Sequence, residues 1–147
     1  KFDGEACAIS TSSTSIMIKN LIGKNNLQTV MVSHVFIKQL DANYPASMSE
    51  NMVKNLLRDE VGFRGVVVTD DLHMGAIKNN YTLEETVIQS TRATVDVMLF
   101  ANYFEPDMKT PKKVLNIIKK AIKNGELTEE EIEKSYKRIV DLKNNLN

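Results

Sequence analysis

Three short apolar runs, each closing on polar residues, limit what this chain can fold into: TVMVSHV at residues 29–35, GVVVTDD at 65–71 and VDVMLFAN at 95–102. They are rich in β-branched residues and continuous rather than alternating, the pattern of a strand covered on both faces, as in a parallel sheet. Segments of helical period lie between them. The runs begin at residues 29, 65 and 95, which leaves room for a crossover helix each time and predicts a right-handed βαβ succession. The expected class is α/β, as a doubly wound sheet or a (β/α) barrel. A barrel closes with eight strands in about 250 residues, so a barrel reading makes this stretch part of one.

Helix signals fit that order. Ser47 with Glu50, Thr82 with Glu85 and Thr128 with Glu131 have capping-box spacing, in which hydroxyl and carboxylate reciprocally satisfy amides of the first turn. Thr110 before Pro111 reads as an N-cap followed by proline at the first helical position, and Gly125 stands just past PKKVLNIIKKAIKN. The last helix, at about residues 129–144, brings Ile132, Tyr136, Ile139, Val140 and Leu142 near one face. Ahead of the first run, Ile16, Met17, Leu21 and Ile22 suggest a helix stopping at Gly23. Residues 1–14 read as a loop or linker, with the hydroxyl-rich STSSTS beginning inside them.

Composition narrows the partners. With 42% apolar and 26% charged residues the chain has the balance of a globular domain. Lys+Arg and Asp+Glu both number 19, so no net field favours nucleic acid or an anionic membrane. No apolar run approaches the ~20 residues of a membrane span, and the opening KFDGEACAISTSSTS lacks the apolar centre of a signal peptide. The single cysteine, Cys7, excludes an internal disulfide and a thiolate-rich metal site. The methionines show no ligand spacing and read as core filler. The lysines of KTPKKVLNIIKKAIKN read as the solvated face of a helix. A first residue of Lys rather than Met raises the expectation that the stretch is a fragment of a longer chain.

In α/β folds ligands gather beyond the carboxyl ends of strands, and every run here ends in polar residues. The candidates are Ser33 and His34, then Thr69, Asp70 and Asp71, then Asn102. Side chains alternate along a strand, so Val66, Val68 and Asp70 share one face and Val67, Thr69 and Asp71 the other. If Val66 and Val68 fill a barrel interior, Asp70 crowns it, which makes Asp70 the better candidate for a catalytic or metal role; the competing reading is a cap for the next turn. For Asp71 the cap is the favoured reading. His34 is open to three: a ligand contact, a general acid or base, or a ring held by backbone. His73 reads as structural or solvent-facing. Phosphate-binding glycine loops, the H-E-x-x-H zinc motif and the G-x-S-x-G nucleophile elbow do not occur in the sequence.

The block from Val30 to Ile77, VMVSHVFIKQLDANYPASMSENMVKNLLRDEVGFRGVVVTDDLHMGAI, closely resembles the carboxyl-terminal part of the barrel domain of glycoside hydrolase family 3, in its β-N-acetylhexosaminidase branch. YTLEETVIQSTRATVDVMLFANY resembles the family's next helix and last barrel strand, and EIEKSYKRIVDLKNNL its closing helix. The resemblance implies that residues 15–147 hold the last three strands of the (β/α) barrel with their helices. It implies a retaining hydrolase of terminal β-linked N-acetylglucosamine-type sugars, with Asp70 as the nucleophile that forms the glycosyl-enzyme. Ser33, His34, Thr69, Asp71, Met74 and Asn102 are then expected around the substrate or behind the residues that touch it. No metal or organic cofactor is implied.

The family's acid/base loop, approximately K-H-F-P-G-H-G followed by D-[ST]-H, does not occur in this sequence. Thr94 and Val95 stand where the family usually has Gly before its strand-eight Asp. The expected partners are a carbohydrate and the amino-terminal half of the barrel, in the same or another chain, with an oligomer as a further possibility because open sheet edges favour association. The alternative is a non-catalytic truncated relative acting as a sugar-binding or assembly module.

Overall fold

The computed structural model describes residues 27–101 and 107–146; the expected helix at 16–22, the linker at 1–14 and Asn102 lie outside them. The order is β1 (Thr29–Val32), a 3₁₀ turn at Ala46–Met48, α1 (Asn51–Glu60, wound as a π-helix), β2 (Val66–Thr69), a single turn α2 (Gly75–Lys78), α3 (Leu83–Arg92), α4 (Thr110–Lys123) and α5 (Glu129–Asn144). The class is α/β. Strands β1 and β2 are parallel, with Thr29 opposite Val66 and Val32 opposite Thr69. None of the described helices is long and apolar enough to cross a membrane.

The third run differs from its expectation. Among the described residues the sheet has two strands, and the segment after Val95 joins it only through a parallel bridge between Val68 and Val97. The cause is local. Asp96 and Val97 both send their N–H to the Val67 carbonyl, so two residues oppose one. Further along, side chains replace the backbone as acceptors: Leu99 N–H donates to Thr69 Oγ1 at 3.0 Å and Ala101 N–H to Asp71 Oδ1 at 2.8 Å. The segment follows β2 without forming a regular ladder.

Val67 packs with Val53, Leu57, Phe63, Ala93 and Val95 against the helices, and Val30, Val32 and Met98 close that core. Each such side chain contributes about 1.5–3 kcal/mol by leaving water. The opposite face is open beyond Val66, which is buried at its start. Met31, in register with Val68, is 61% exposed, and Val97 and Leu99 are exposed as well.

The capping signals resolve unevenly. Thr128 and Glu131 form the full box. Thr82 accepts from Glu85 N–H, but the Glu85 carboxylate accepts from Tyr44 Oη instead of closing the box. Ser47 does not cap α1: it is buried in the 3₁₀ turn, and Ser49 Oγ accepts from Met52 N–H in its place. Thr110 is the first residue of α4 rather than its cap, with Pro111 in the first turn, and Asp107 Oδ1 accepts from Lys109 N–H just ahead of it. Gly125 ends α4 at φ +75°.

One carboxylate ties these pieces together. The Asp96 side chain is 0% exposed and accepts from Arg58 Nη2 at 2.7 Å, Val67 N–H at 2.8 Å, Ser135 Oγ at 2.6 Å and Arg138 Nε at 2.8 Å. Arg58 also donates to the Gly65 carbonyl and to Thr94 Oγ1 and O. Burial lowers the Arg58 pKa, and neighbouring Asp96 opposes that shift by favouring the charged form. Ser135 and Arg138, three residues apart, lie on one face of α5 and dock a helix that has no fully buried residue of its own.

Two outcomes are expected in the intact protein. Asp96→Asn leaves two arginines without their counter-charge and lowers the unfolding free energy by roughly 3–5 kcal/mol in urea titration. Gly65→Ala places a methyl 2.3 Å from the Gln28 carbonyl oxygen and 2.7 Å from Phe63 Cζ. The neighbouring backbone has to move, and calorimetry should record a loss of about 1–3 kcal/mol.

Candidate functional site

Of the polar residues beyond β1 and β2, His34, Asp70 and Asp71 are linked by hydrogen bonds. Asp70 continues β2 by a single bond, its N–H donating to the Val32 carbonyl at 2.9 Å. Alternation from Val66 and Val68 carries Asp70 to the rim of the open sheet face, where it is half-buried. Its Oδ1 accepts from Asp71 N–H at 2.8 Å. Ser33 is exposed and, by the same alternation from Thr29 and Met31, stands at the end of that face in β1.

Asp71 turns the other way. Its Oδ1 accepts from His73 N–H at 2.9 Å, closing a local turn, and from Ala101 N–H at 2.8 Å, fastening the third segment to the loop. Its carbonyl accepts from Met74 N–H at 3.0 Å and from His34 Nε2 at 2.8 Å. A carbonyl can only accept, so Nε2 carries the proton; in the neutral ring Nδ1 is then left to accept from Ser47 Oγ at 2.7 Å. Ser47 is fully buried, and its own carbonyl accepts from Ser90 Oγ on α3.

Thr69 is also fully buried and lends Oγ1 to Leu99 N–H, so its hydroxyl braces the third segment. His73 Nδ1–H donates to the Ala101 carbonyl at 2.9 Å, with the ring edge-on to Phe100 at 5.3 Å. Leu72 and Ile77 seat the loop in a second small core with Met48. Met74 is exposed at the end of the turn, as a surface the loop presents rather than part of its support.

Asp70, Asp71, His34 and Thr69 are thus brought together around one loop, with Ser33 and Met74 on its exposed side. Sequence reasoning missed Ser47, Ala101 and the carbonyl-holding role of His73. Ser47 carried a signal in the paired serines of P-A-S-M-S, either of which has the chemistry of a cap. A cleft beside the loop is bounded by Leu72, His73, Ile77, Phe100 and Ala101. Within the described residues no cluster of three His, Cys, Asp or Glu side chains has the geometry to hold a metal.

The Asp71 latch is testable. Asp71→Ala should raise the exchange rates of the His73 and Ala101 amides about 10- to 100-fold, the loss of a bond to a charged acceptor worth roughly 1.5–3 kcal/mol. Asp71→Asn keeps an acceptor oxygen and should leave them near the wild-type rate, as read by hydrogen exchange on the intact protein.

Residues 12–142 match the family model described as the glycosyl hydrolase family 3 N terminal domain. A β-N-acetylglucosaminidase of family 3 from Paenibacillus superposes with a TM-score of 0.77 at 32% identity, over 86% of this chain and 23% of that one. The Thermotoga maritima β-N-acetylglucosaminidase gives a TM-score of 0.75 at 25% identity, over 84% of this chain and 26% of that one. The β-hexosaminidase LpqI of Mycobacterium tuberculosis is 32% identical over 120 residues, 78% of this chain and 29% of that protein. The chain therefore spans 23–29% of the length of these relatives.

Proposed function

The chain belongs to glycosyl hydrolase family 3, and we propose that it supplies the nucleophile half of a retaining β-N-acetylhexosaminidase site. The observation that carries the reading is the placement of Asp70: a carboxylate at the carboxyl end of a parallel strand, on the rim of the open apolar face, with one oxygen held by the next amide. In the proposed reaction the Asp70 carboxylate attacks the anomeric carbon of a terminal β-linked N-acetylglucosamine-type sugar. The bond to the leaving oxygen breaks as a proton arrives there from an acid outside this chain. Water, giving its proton back to that group, then cleaves the glycosyl ester and restores the carboxylate.

On this reading β1, β2 and the segment after Val95 are the sixth, seventh and eighth strands of a (β/α) barrel, and residues 15–147 are the closing part of its domain. Exposure of Met31, Val97 and Leu99 supports it, because an inner barrel face is apolar and is covered only when the remaining strands are present.

The test is Asp70→Asn in the intact protein, assayed on an aryl N-acetylglucosaminide. Turnover should fall by three orders of magnitude or more while circular dichroism stays unchanged; the amide keeps the shape but lacks the nucleophilic charge. Turnover near wild type would remove Asp70 from the role.

A further inference from the structure

The nucleophile reading leaves unexplained why a histidine and a fully buried serine are spent on a backbone carbonyl. We propose that His34 is a positioning residue for Asp70, acting through the backbone of Asp71 on both sides of its Cα and braced by Ser47. This rests on the nucleophile reading and adds to it a residue and a route.

The route is short. Asp71 N–H holds one oxygen of the Asp70 carboxylate, so the carboxylate is oriented only as firmly as that peptide group. Asp71 is a loop residue past the end of β2 with no ladder partner for its own N–H; its carbonyl, in the next peptide group along, is held by His34 Nε2 at 2.8 Å, which restrains the Asp71 backbone torsions that aim the N–H. His34 follows the strand that pairs with β2, and its other nitrogen is fixed at 2.7 Å by Ser47, which is 0% exposed and tied to α3 through Ser90. The chain of bonds therefore runs from a helix in the core to the carboxylate at the rim, and each donor faces an acceptor.

The neighbouring bonds define what His34 adds. Asp70 N–H to Val32 and Leu72 N–H to Leu99 fix the backbone on either side of Asp71, and Met74 N–H shares its carbonyl. Leu72 N–H and the Asp71 carbonyl belong to one peptide group, which the Leu99, Met74 and His34 bonds hold together; what His34 adds is the tie from that group to β1 and, through Ser47, to α3. A nucleophile misplaced by ~1 Å loses about 100-fold in rate, so the expected signature is a slow chemical step with little change in binding.

The experiment uses the intact protein and an activated fluorosugar that traps the glycosyl-enzyme, with mass spectrometry to follow the adduct. His34→Ala should slow trapping by roughly 10- to 100-fold and lower kcat in parallel, with KM for the aryl N-acetylglucosaminide within about threefold of wild type. His34→Gln places an amide donor near the Nε2 position and should recover most of the trapping rate. Folded His34→Ala that traps at the wild-type rate overturns the proposal. If His34→Ala does not fold, His34→Gln decides: rapid trapping supports the route and slow trapping in a folded variant overturns it. Asp70→Asn in the same assay separates the two claims, because an Asp70→Asn protein that still forms the adduct defeats the nucleophile reading itself, whereas its failure beside an unaffected His34→Ala defeats only the positioning role.

Discussion

The buried carboxylate of Asp96 is the contact on which the arrangement depends. It collects α1 through Arg58, the start of β2 through Val67 N–H, and α5 through Ser135 and Arg138. A buried ion pair is a weak argument for stability in itself, because desolvating the charges costs about as much as their attraction returns. Its geometry is the stronger argument. The acceptor sites of Asp96 are met by donors from separate elements, so any displacement of one helix leaves a charge unmatched in a dry interior. Thr94 follows from the same constraint: at φ +66° a β-branched residue sits where glycine is preferred, and Arg58 holds both its hydroxyl and its carbonyl there.

The two ends of β2 consequently do different work. At its start the strand is bolted by ions to the helical layer. At its end, three residues beyond Val67, neutral and singly charged groups arrange a loop: Thr69 and Asp71 lend side-chain oxygens to the third segment, and Asp70 is left at the rim. Side-chain acceptors in place of a regular ladder explain why that segment is bridged rather than paired. They also fasten the loop to its neighbour on the side where chemistry is proposed, without using the carboxylate of Asp70.

The elements legible in the sequence were those set by local pattern. Val66 to Thr69 is a strand because four β-branched residues allow little else, and α5 begins at Glu129 because Thr128 and Glu131 satisfy each other. Elements decided by distant partners were not legible. Ser47 and Ser49 are equally good caps by composition; burial against α3 and a histidine thirteen residues earlier give Ser47 another role. VDVMLFAN has the composition of a strand, and only the positions of the Thr69 and Asp71 oxygens reveal why it does not pair as one. At the site, alternation alone was enough to separate Asp70 from Asp71, whereas the His34 contact spans 37 residues and has no local signature.

The open face bears on how the described elements behave. Burying Met31, Val97 and Leu99 would contribute several kcal/mol at about 25 cal/mol per Å², a gain unavailable to the described residues by themselves. The helical side is already closed, with Val53, Leu57 and Phe63 packed on β2 and Asp96 locking the layers. An element set finished on one face and unfinished on the other is what a sector of a closed sheet looks like, since each sector completes its outer layer locally but its inner face only with the others. On the proposed barrel reading, the carboxylate at the rim of that face gains its pocket by closure of the sheet, with no rearrangement of the loop that holds it.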